Sequence, residues 1–393
     1  MFFVFSLLLA GHTRSQDAPY VIMISFDGFR WDYPDLVRLP TFDSLAATGV
    51  KAAFLKPAFP SITFPNHYTM ATGLYPDHHG IVANSFYDPV MKKYYSIGNR
   101  NAVEDSSFYG GEPIWVTAEK QGVRSASFFW VGSEAPVKGM HPSFWKKYDE
   151  KISFNDRIDT VIAWLSLPEN QRPKLILFYY HEPDGSGHQL GPDSEAIKPV
   201  LVDLDQKLGS FIRKLKALTF FDKINLIVTA DHGMQTTPKE QTVMLYNYAE
   251  PSLFEIIEGY SPVILLKSKP GKYNEAYQAL KKTPHTSCWE SSGMPKKFHY
   301  GTSPRTLEFV MLADSAWTII RNPAQKVPNG AHGFDPDNPN MHAIFYASGP
   351  AFKQNYQASG FINIDLYPLI ARVLNLRPAA VDGTIDKVAG MLK

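Results

Sequence analysis

The chain has 393 residues, 44% hydrophobic and 20% charged, a composition typical of a globular protein and not of a disordered one. Its 39 Lys and Arg residues are nearly balanced by 38 Asp and Glu residues, so the net charge of +1 provides no bulk attraction for a nucleic-acid scaffold or an anionic membrane. The single cysteine, Cys288, excludes a disulfide framework and a cysteine-rich metal site.

The N-terminus is an apolar run, residues 2–10, followed by the polar residues Thr13, Ser15 and Gln16. The run is shorter than the roughly 20 residues that span a bilayer, so no stable membrane span is predicted. It is typical of a secretory signal peptide over residues 1–16, although the basic residues that usually begin such a peptide are missing. The alternative interpretation is a buried N-terminal strand. The signal peptide predicts export to a periplasmic or extracellular location.

Continuous apolar runs predict strands buried on both faces at residues 20–26, 174–180 and 223–230. Amphipathic patterns between or beside these runs predict helices at 40–49, 114–122 and 194–218. This alternation predicts an α/β fold with a doubly wound, mostly parallel sheet and helices on both faces.

The pattern changes after residue 248. Strand-like pieces at 261–267, 306–312 and 316–320 surround one helical stretch at 273–282. We therefore expect a smaller α+β insertion at 249–326 within a catalytic core formed by 17–248 and 327–393. A further core strand is predicted at 341–350 and a closing helix at 365–374.

Carboxylates and imidazoles gather after the predicted core strands. In parallel sheets ligands bind at the carboxyl ends of strands, so these side chains are candidates for a shared site. Each Asp–His pair taken alone is explained by a helix cap or a loop contact, but the full set provides mixed oxygen and nitrogen donors that suit zinc, with cobalt or manganese as substitutes. The set consists of Asp27, Asp184, His188, Asp231, His232 and His332.

Thr63 is the candidate nucleophile. It precedes an apparent helix, and Pro65 fits an early helical position, so the hydroxyl would lie beside a helix N-terminus that favours anions. A threonine that only caps the helix is the equal alternative. His67, inside the helix start, is interpreted as structural.

Seven motifs occur in an order that resembles the nucleotide pyrophosphatase/phosphodiesterase family of the alkaline phosphatase superfamily, as a compact, bacterial-type member. The resemblance covers about residues 20 to 375. The motifs are SFDGFR (25–30), TFPNHYTMATGLYPDHHG (63–80), GEPIW (111–115), FWVGSE (129–134), EPDGSGHQLGP (182–192), TADHGM (229–234) and AHGFDP (331–336).

This resemblance implies two Zn²⁺ ions per chain, one held by Asp184, His188 and His332. The other would be held by Asp27, Thr63, Asp231 and His232, with Thr63 also the nucleophile that forms a covalent threonyl-nucleotide intermediate. Asn84 matches a residue that binds a phosphoryl oxygen, and Phe64 and Tyr179 match the aromatic pair that holds a nucleobase. The implied activity is hydrolysis of nucleotide phosphodiester or pyrophosphate bonds, for example of a nucleoside triphosphate to the monophosphate and pyrophosphate.

Four other functions stay open or are disfavoured by the residues. A sulfatase would need a modifiable Cys or Ser with a Pro–Arg signature, which Thr63 lacks, and a phosphomonoesterase would need an arginine near Thr63 or Asn84. A phosphodiesterase acting on lipid head groups such as glycerophosphocholine is the enzyme alternative, and a zinc-dependent binding protein without turnover is the non-enzyme one. Phe64 and Tyr179 could also be ordinary core residues.

Overall fold

The computed structural model of this chain describes residues 19–393, and the predicted signal peptide lies outside them. In the described part of the chain, none of the helices has the length and apolarity needed to cross a membrane.

The strands alternate with helices along much of the chain. They are β1 (Tyr20–Phe26), β2 (Val50–Ala52), β3 (Leu55–Lys56), β4 (Ser85–Asp88), β5 (Lys93–Ser96), β6 (Ser125–Phe128), β7 (Phe144–Lys146), β8 (Leu175–Tyr180), β9 (Ile224–Thr229), β10 (Gln235–Thr236), β11 (Thr242–Met244), β12 (Phe254–Tyr260), β13 (Val263–Ser268), β14 (Thr286–Glu290), β15 (Phe309–Ala313), β16 (Thr318–Ile320), β17 (Gly330–Ala331), β18 (Phe345–Ser348), β19 (Tyr356–Ala358) and β20 (Phe361–Ile362). The α-helices are α1 (Tyr33–Leu36), α2 (Pro40–Thr48), α3 (Thr63–Thr72), α4 (Pro76–His79), α5 (Arg100–Val103), α6 (Ile114–Lys120), α7 (Phe154–Leu165), α8 (Asp184–Leu190), α9 (Ile197–Lys216), α10 (Tyr273–Lys281) and α11 (Leu366–Val373).

The main sheet has eight strands in the order β19-β2-β18-β9-β1-β8-β6-β7. Its neighbours pair in parallel except at β18, which is antiparallel to both β2 and β9. All seven residues of β1 are buried, as expected for a strand covered on both faces. The prediction of an α/β fold with a mostly parallel sheet is therefore confirmed.

The helices form two packed groups. Helix α2 contacts α9, which contacts α7, while α3, α6 and α11 contact one another. The start of α2 is held from α9 by Asp205, whose Oδ1 accepts the backbone N–H groups of Thr41 and Phe42 at 2.9 and 3.1 Å. Because the α2 N-cap residue, Leu39, makes no side-chain cap bond, Asp205 satisfies N–H groups that the helix itself leaves unpaired.

A second, four-stranded sheet with the order β12-β13-β15-β14 lies within the predicted insertion at 249–326. Alternate residues of β13 pack on opposite sides. Val263 and Leu265 join the main hydrophobic core, whereas Ile264 and Leu266 join a second core. Strand β13, a central strand of the small sheet, is therefore buried on both faces and packs the sheet against the rest of the molecule.

Candidate active site

The central strands β9, β1 and β8 run in parallel, so their carboxyl ends meet at one edge of the main sheet. Ser25 near the end of β1 pairs with Tyr179 of β8 and with Thr229 of β9. Asp27 follows β1 directly, Asp231 follows β9, and Asp184 opens helix α8 after β8. The topology thus brings three carboxylates from distant sequence positions to one place.

Asp184, His188 and His332 form the first donor cluster, with ligand atoms all within 4.8 Å of one another. Both imidazoles are oriented by backbone carbonyls. The Nδ1 of His188 lies 2.6 Å from the carbonyl oxygen of Gly330, and the Nδ1 of His332 lies 3.1 Å from that of Ser61. Because a carbonyl oxygen only accepts, each Nδ1 carries the proton and each Nε2 lone pair is free to bind a metal.

The second donor cluster contains Asp27, Asp231 and His232, with Thr63 beside it. The Nδ1 of His232 donates to the carbonyl of Gly233 at 2.8 Å, which leaves Nε2 as the free nitrogen. That Nε2 lies 3.4 Å from Asp27 Oδ1, 3.2 Å from Asp231 Oδ2 and 3.3 Å from the Thr63 hydroxyl oxygen. Asp184 also comes within 4.8 Å of Asp27 and His232, so the two clusters are contiguous.

Several buried carboxylate oxygens in these clusters have no hydrogen-bond partner among residues 19–393, namely Asp27 Oδ1, Asp184 Oδ1 and Asp231 Oδ2. Burial of such an oxygen costs free energy unless a cation or a hydrogen-bond donor binds it. Burial, with the nearby Asp231 and Asp184 charges, raises the pKa of Asp27 well above its usual value, and burial does the same for the pKa of Asp231. These carboxylates and imidazoles fit divalent metal ions of the zinc class.

Burial keeps two of the histidines, His332 and His232, neutral. Burial lowers the pKa of His332 to about 4 and also lowers the pKa of His232 well below the usual range. At neutral pH both Nε2 atoms therefore present lone pairs, the form that metals bind.

Gly28, just after β1, contacts the residues that follow β9 and β8. Its φ of +70° lies in the left-handed region, and its backbone N–H donates to Asp231 Oδ1 at 3.1 Å. An added Cβ would lie 3.0 Å from the Cα of Asp184. Only glycine tolerates both this conformation and this close approach.

Thr63 is the first residue of α3, and the N-cap residue is Ile62, which makes no side-chain cap bond. The structure thus places the Thr63 hydroxyl beside the second donor cluster, 3.3 Å from His232 Nε2. Asn84 Oδ1 accepts the backbone N–H of Phe64 at 3.0 Å. This bond fixes the Asn84 amide with its oxygen toward the helix, so that its NH₂ donors are available to an oxyanion.

A cavity of about 460 Å³ opens above both clusters and is lined by Thr63, Asn84 and several aromatic residues. Phe64 is part of this lining, and its role in binding a base stays a prediction. Tyr148, which the sequence analysis did not identify, also lines it and is 36% exposed. Its ring meets Phe129 edge-on, with centroids 5.2 Å apart.

Tyr179 lines the same cavity, but its hydroxyl contacts the donor clusters. It donates to Asp27 Oδ2 at 2.7 Å, and its ring meets the ring of His67 edge-on at 5.1 Å. This hydrogen bond was not expected from the sequence, which suggested either a base-stacking ring or an ordinary core residue. His67 itself is fully buried, consistent with the structural reading.

An arginine does line the cavity. Arg100 lies in its wall, although the sequence showed no arginine near Thr63 or Asn84. Its guanidinium is paired with the buried carboxylate of Glu134 and approaches Glu104 at 3.8 Å. The charge is therefore compensated by protein groups.

Known proteins resemble this chain over nearly its full length. Human ectonucleotide pyrophosphatase/phosphodiesterase family member 5 is 35% identical, with 100% of this chain and 83% of the relative covered. A mouse bis(5'-adenosyl)-triphosphatase is 36% identical over 97% of this chain and 83% of the relative. Bovine family member 3 is 34% identical, but the chain spans only 44% of it.

Solved structures agree with the fold. Murine ectonucleotide pyrophosphatase/phosphodiesterase 5, determined as an inactive threonine-to-alanine variant in complex with AMP, superposes with a TM-score of 0.92. It is 35% identical and covers 95% of this chain and 100% of that one. The family described as type I phosphodiesterase/nucleotide pyrophosphatase matches residues 21–335. The chain is thus an enzyme of the type I phosphodiesterase/nucleotide pyrophosphatase family.

Proposed function

We propose that the protein hydrolyses nucleotide phosphodiester or pyrophosphate bonds, for example converting a nucleoside triphosphate to the monophosphate and pyrophosphate. The observation that carries this proposal is the Thr63 hydroxyl, 3.3 Å from His232 Nε2 at the base of a cavity with aromatic walls. The murine relative whose structure contains AMP is inactive when a threonine is replaced by alanine, which supports a threonine nucleophile here as well.

Thr63 is the catalytic residue of the proposed reaction. Its hydroxyl gives up its proton to water, its oxygen forms a bond to phosphorus, and the bond from phosphorus to the leaving oxygen breaks, which yields a threonyl-nucleotide and, from a nucleoside triphosphate, pyrophosphate. Water then cleaves the Thr63–phosphorus bond and releases the nucleoside monophosphate. The side-chain NH₂ group of Asn84 provides hydrogen-bond donors for the phosphoryl oxygens during both steps, because its Oδ1 is already bound to the Phe64 N–H.

We propose two zinc ions as cofactors. Asp184, His188 and His332 would hold one, and the other would be held by the cluster of Asp27, Asp231 and His232 with the Thr63 oxygen. Bound there, zinc would stabilise negative charge on the attacking and leaving oxygens. The buried carboxylate oxygens without partners support this assignment.

The nucleobase would lie between Phe64 and Tyr148. Both line the cavity, and Tyr148 has the exposed surface that a flat ligand needs. Tyr179, whose hydroxyl is bound to Asp27, then lies deeper, toward the metal clusters. An extracellular or periplasmic location fits the predicted signal peptide and the "ecto" prefix in the names of relatives.

The proposal is tested by offering ATP, a dinucleoside polyphosphate and glycerophosphocholine in parallel to the zinc-loaded protein. We expect AMP from both nucleotides and little turnover of glycerophosphocholine. The Thr63→Ala variant should lose several orders of magnitude in rate while its circular dichroism spectrum stays native. Faster release of choline phosphate or glycerol than of AMP would refute the nucleotide assignment and favour the lipid head-group alternative.

A further inference from the structure

Tyr179 connects two neighbouring strands at the bottom of the candidate site. It lies one residue before the end of β8, and its hydroxyl reaches Asp27, the residue that follows β1. The distance from the Tyr179 hydroxyl oxygen to Asp27 Oδ2 is 2.7 Å. The phenolic hydroxyl of Tyr179 donates this bond, and the carboxylate oxygen of Asp27 accepts it.

The two oxygens of Asp27 have different surroundings. Oδ2 receives the tyrosine proton, whereas Oδ1 has no hydrogen-bond partner within the described chain and lies 3.4 Å from His232 Nε2. The two oxygens of Asp231 differ as well, because Oδ1 accepts the Gly28 N–H, whereas Oδ2 lies 3.2 Å from His232 Nε2 and 3.2 Å from His67 Nδ1. Each carboxylate is thus anchored through one oxygen and presents the other to the cluster.

The tyrosine ring is itself held in place. It meets the ring of His67 at an angle of 84°, with centroids 5.1 Å apart. His67 is fixed by the Ser25 hydroxyl at its Nε2, 2.9 Å away, and by the Thr63 carbonyl at its Nδ1, 3.0 Å away. The Tyr179 hydroxyl therefore has a defined position from which to orient Asp27.

We propose that Tyr179 is a positioning residue that orients Asp27 toward the metal in the second donor cluster, and that it is not a wall of the base pocket. The inference rests on the proposed metal site but not on the identity of the substrate. Donors bound to the remote side of metal ligands commonly change metal affinity 10- to 100-fold when they are removed.

The Tyr179→Phe variant removes one hydroxyl and keeps the ring. Tyr180→Phe is the matched control, because it removes a hydroxyl from the next residue of β8. Within residues 19–393, that hydroxyl accepts one long hydrogen bond, of 3.4 Å, from Lys207. Zinc affinity of both metal-free proteins is measured by competition with a chromophoric chelator. We expect Tyr179→Phe to bind one of its zinc ions about tenfold or more weakly, and Tyr180→Phe to bind as the parent does.

A kinetic measurement separates positioning from base binding. Because Tyr179→Phe keeps the aromatic ring, its KM for ATP should stay native at saturating zinc, while the zinc concentration needed for half-maximal rate should rise. Native zinc affinity in Tyr179→Phe would overturn the inference even if the protein hydrolyses nucleotides. Conversely, a protein that binds zinc as expected but does not turn over nucleotides would refute only the proposed function.

Discussion

The Tyr148→Ala substitution tests which aromatic residue binds the base opposite Phe64. Tyr148 lies in the cavity wall and is 36% exposed, whereas the hydroxyl of Tyr179 is occupied by Asp27. Removing the Tyr148 ring should therefore weaken nucleotide binding without disturbing the metal clusters. The exposure of the ring also predicts that the fold tolerates the change.

The structure sets the expected magnitude. Stacking of a base on an aromatic side chain contributes about 1–3 kcal/mol by alanine substitution. Only about a third of the Tyr148 surface is still uncovered, since Phe129 already packs against it. We therefore expect the lower part of that range, about 1–2 kcal/mol, which corresponds to a roughly 5- to 30-fold loss in kcat/KM for ATP.

The assay compares ATP with methyl p-nitrophenyl phosphate, whose methyl group has no ring to stack. Tyr148→Ala should lower kcat/KM for ATP and change that for the small diester by less than about twofold. Tyr248→Ala, which truncates another partly exposed tyrosine outside the cavity lining, serves as the control. Equal losses on both substrates, or an unchanged rate with ATP, would show that Tyr148 does not bind the base.

Four further outcomes are expected. Metal analysis should find about two zinc ions per chain, and chelation should abolish turnover until zinc is restored. Thr63→Ser should retain measurable activity because a hydroxyl remains. A rate as low as that of Thr63→Ala would show that a hydroxyl at position 63 is not sufficient for the reaction. Asp205→Ala should lower the free energy of unfolding by about 1–2 kcal/mol, and Asp205→Asn by less, in urea titrations. Burial raises the pKa of Asp88, but hydrogen bonds from the Met91 N–H and Arg305 outweigh it, so the pKa is lowered. The ionised carboxylate therefore stabilises the fold above about pH 4. The decrease in the free energy of unfolding caused by Asp88→Asn should be complete at pH 7 and should become smaller below about pH 4.

The sequence predicted the parts of the fold that depend on local pattern. The apolar runs at 20–26, 174–180 and 223–230 became β1, β8 and β9, and the amphipathic stretch at 194–218 became α9. Strands buried on both faces and long amphipathic helices each leave a signal in consecutive residues, so a single sequence reveals them. Their order in the sheet was not predicted, because it depends on pairing between residues that are distant in the sequence.

Features that depend on side-chain direction left no such signal. Tyr148 and Arg100 reach the cavity because the loop at 147–153 and the short helix α5 pack beside it, and neither segment has a periodic pattern. Tyr179 occurs in a motif that resembles the family, yet the partner of its hydroxyl is set by the register between β8 and β1. A motif therefore identifies such a residue without assigning its contact.

The small sheet also bears on the site, through the residues that flank His332. Ala331 and Phe334 belong to the second hydrophobic core, together with Ile264 and Leu266 from β13. The neighbouring Gly330 accepts the Nδ1–H of His188, and an added Cβ there would lie 2.6 Å from the Gly187 carbonyl oxygen. Two ligands of the first donor cluster thus depend on one segment, residues 330–334, that is held in place by the packing of the small sheet. The segment predicted as an insertion consequently contributes to the geometry of the candidate metal site, even though none of the proposed metal ligands lies within it.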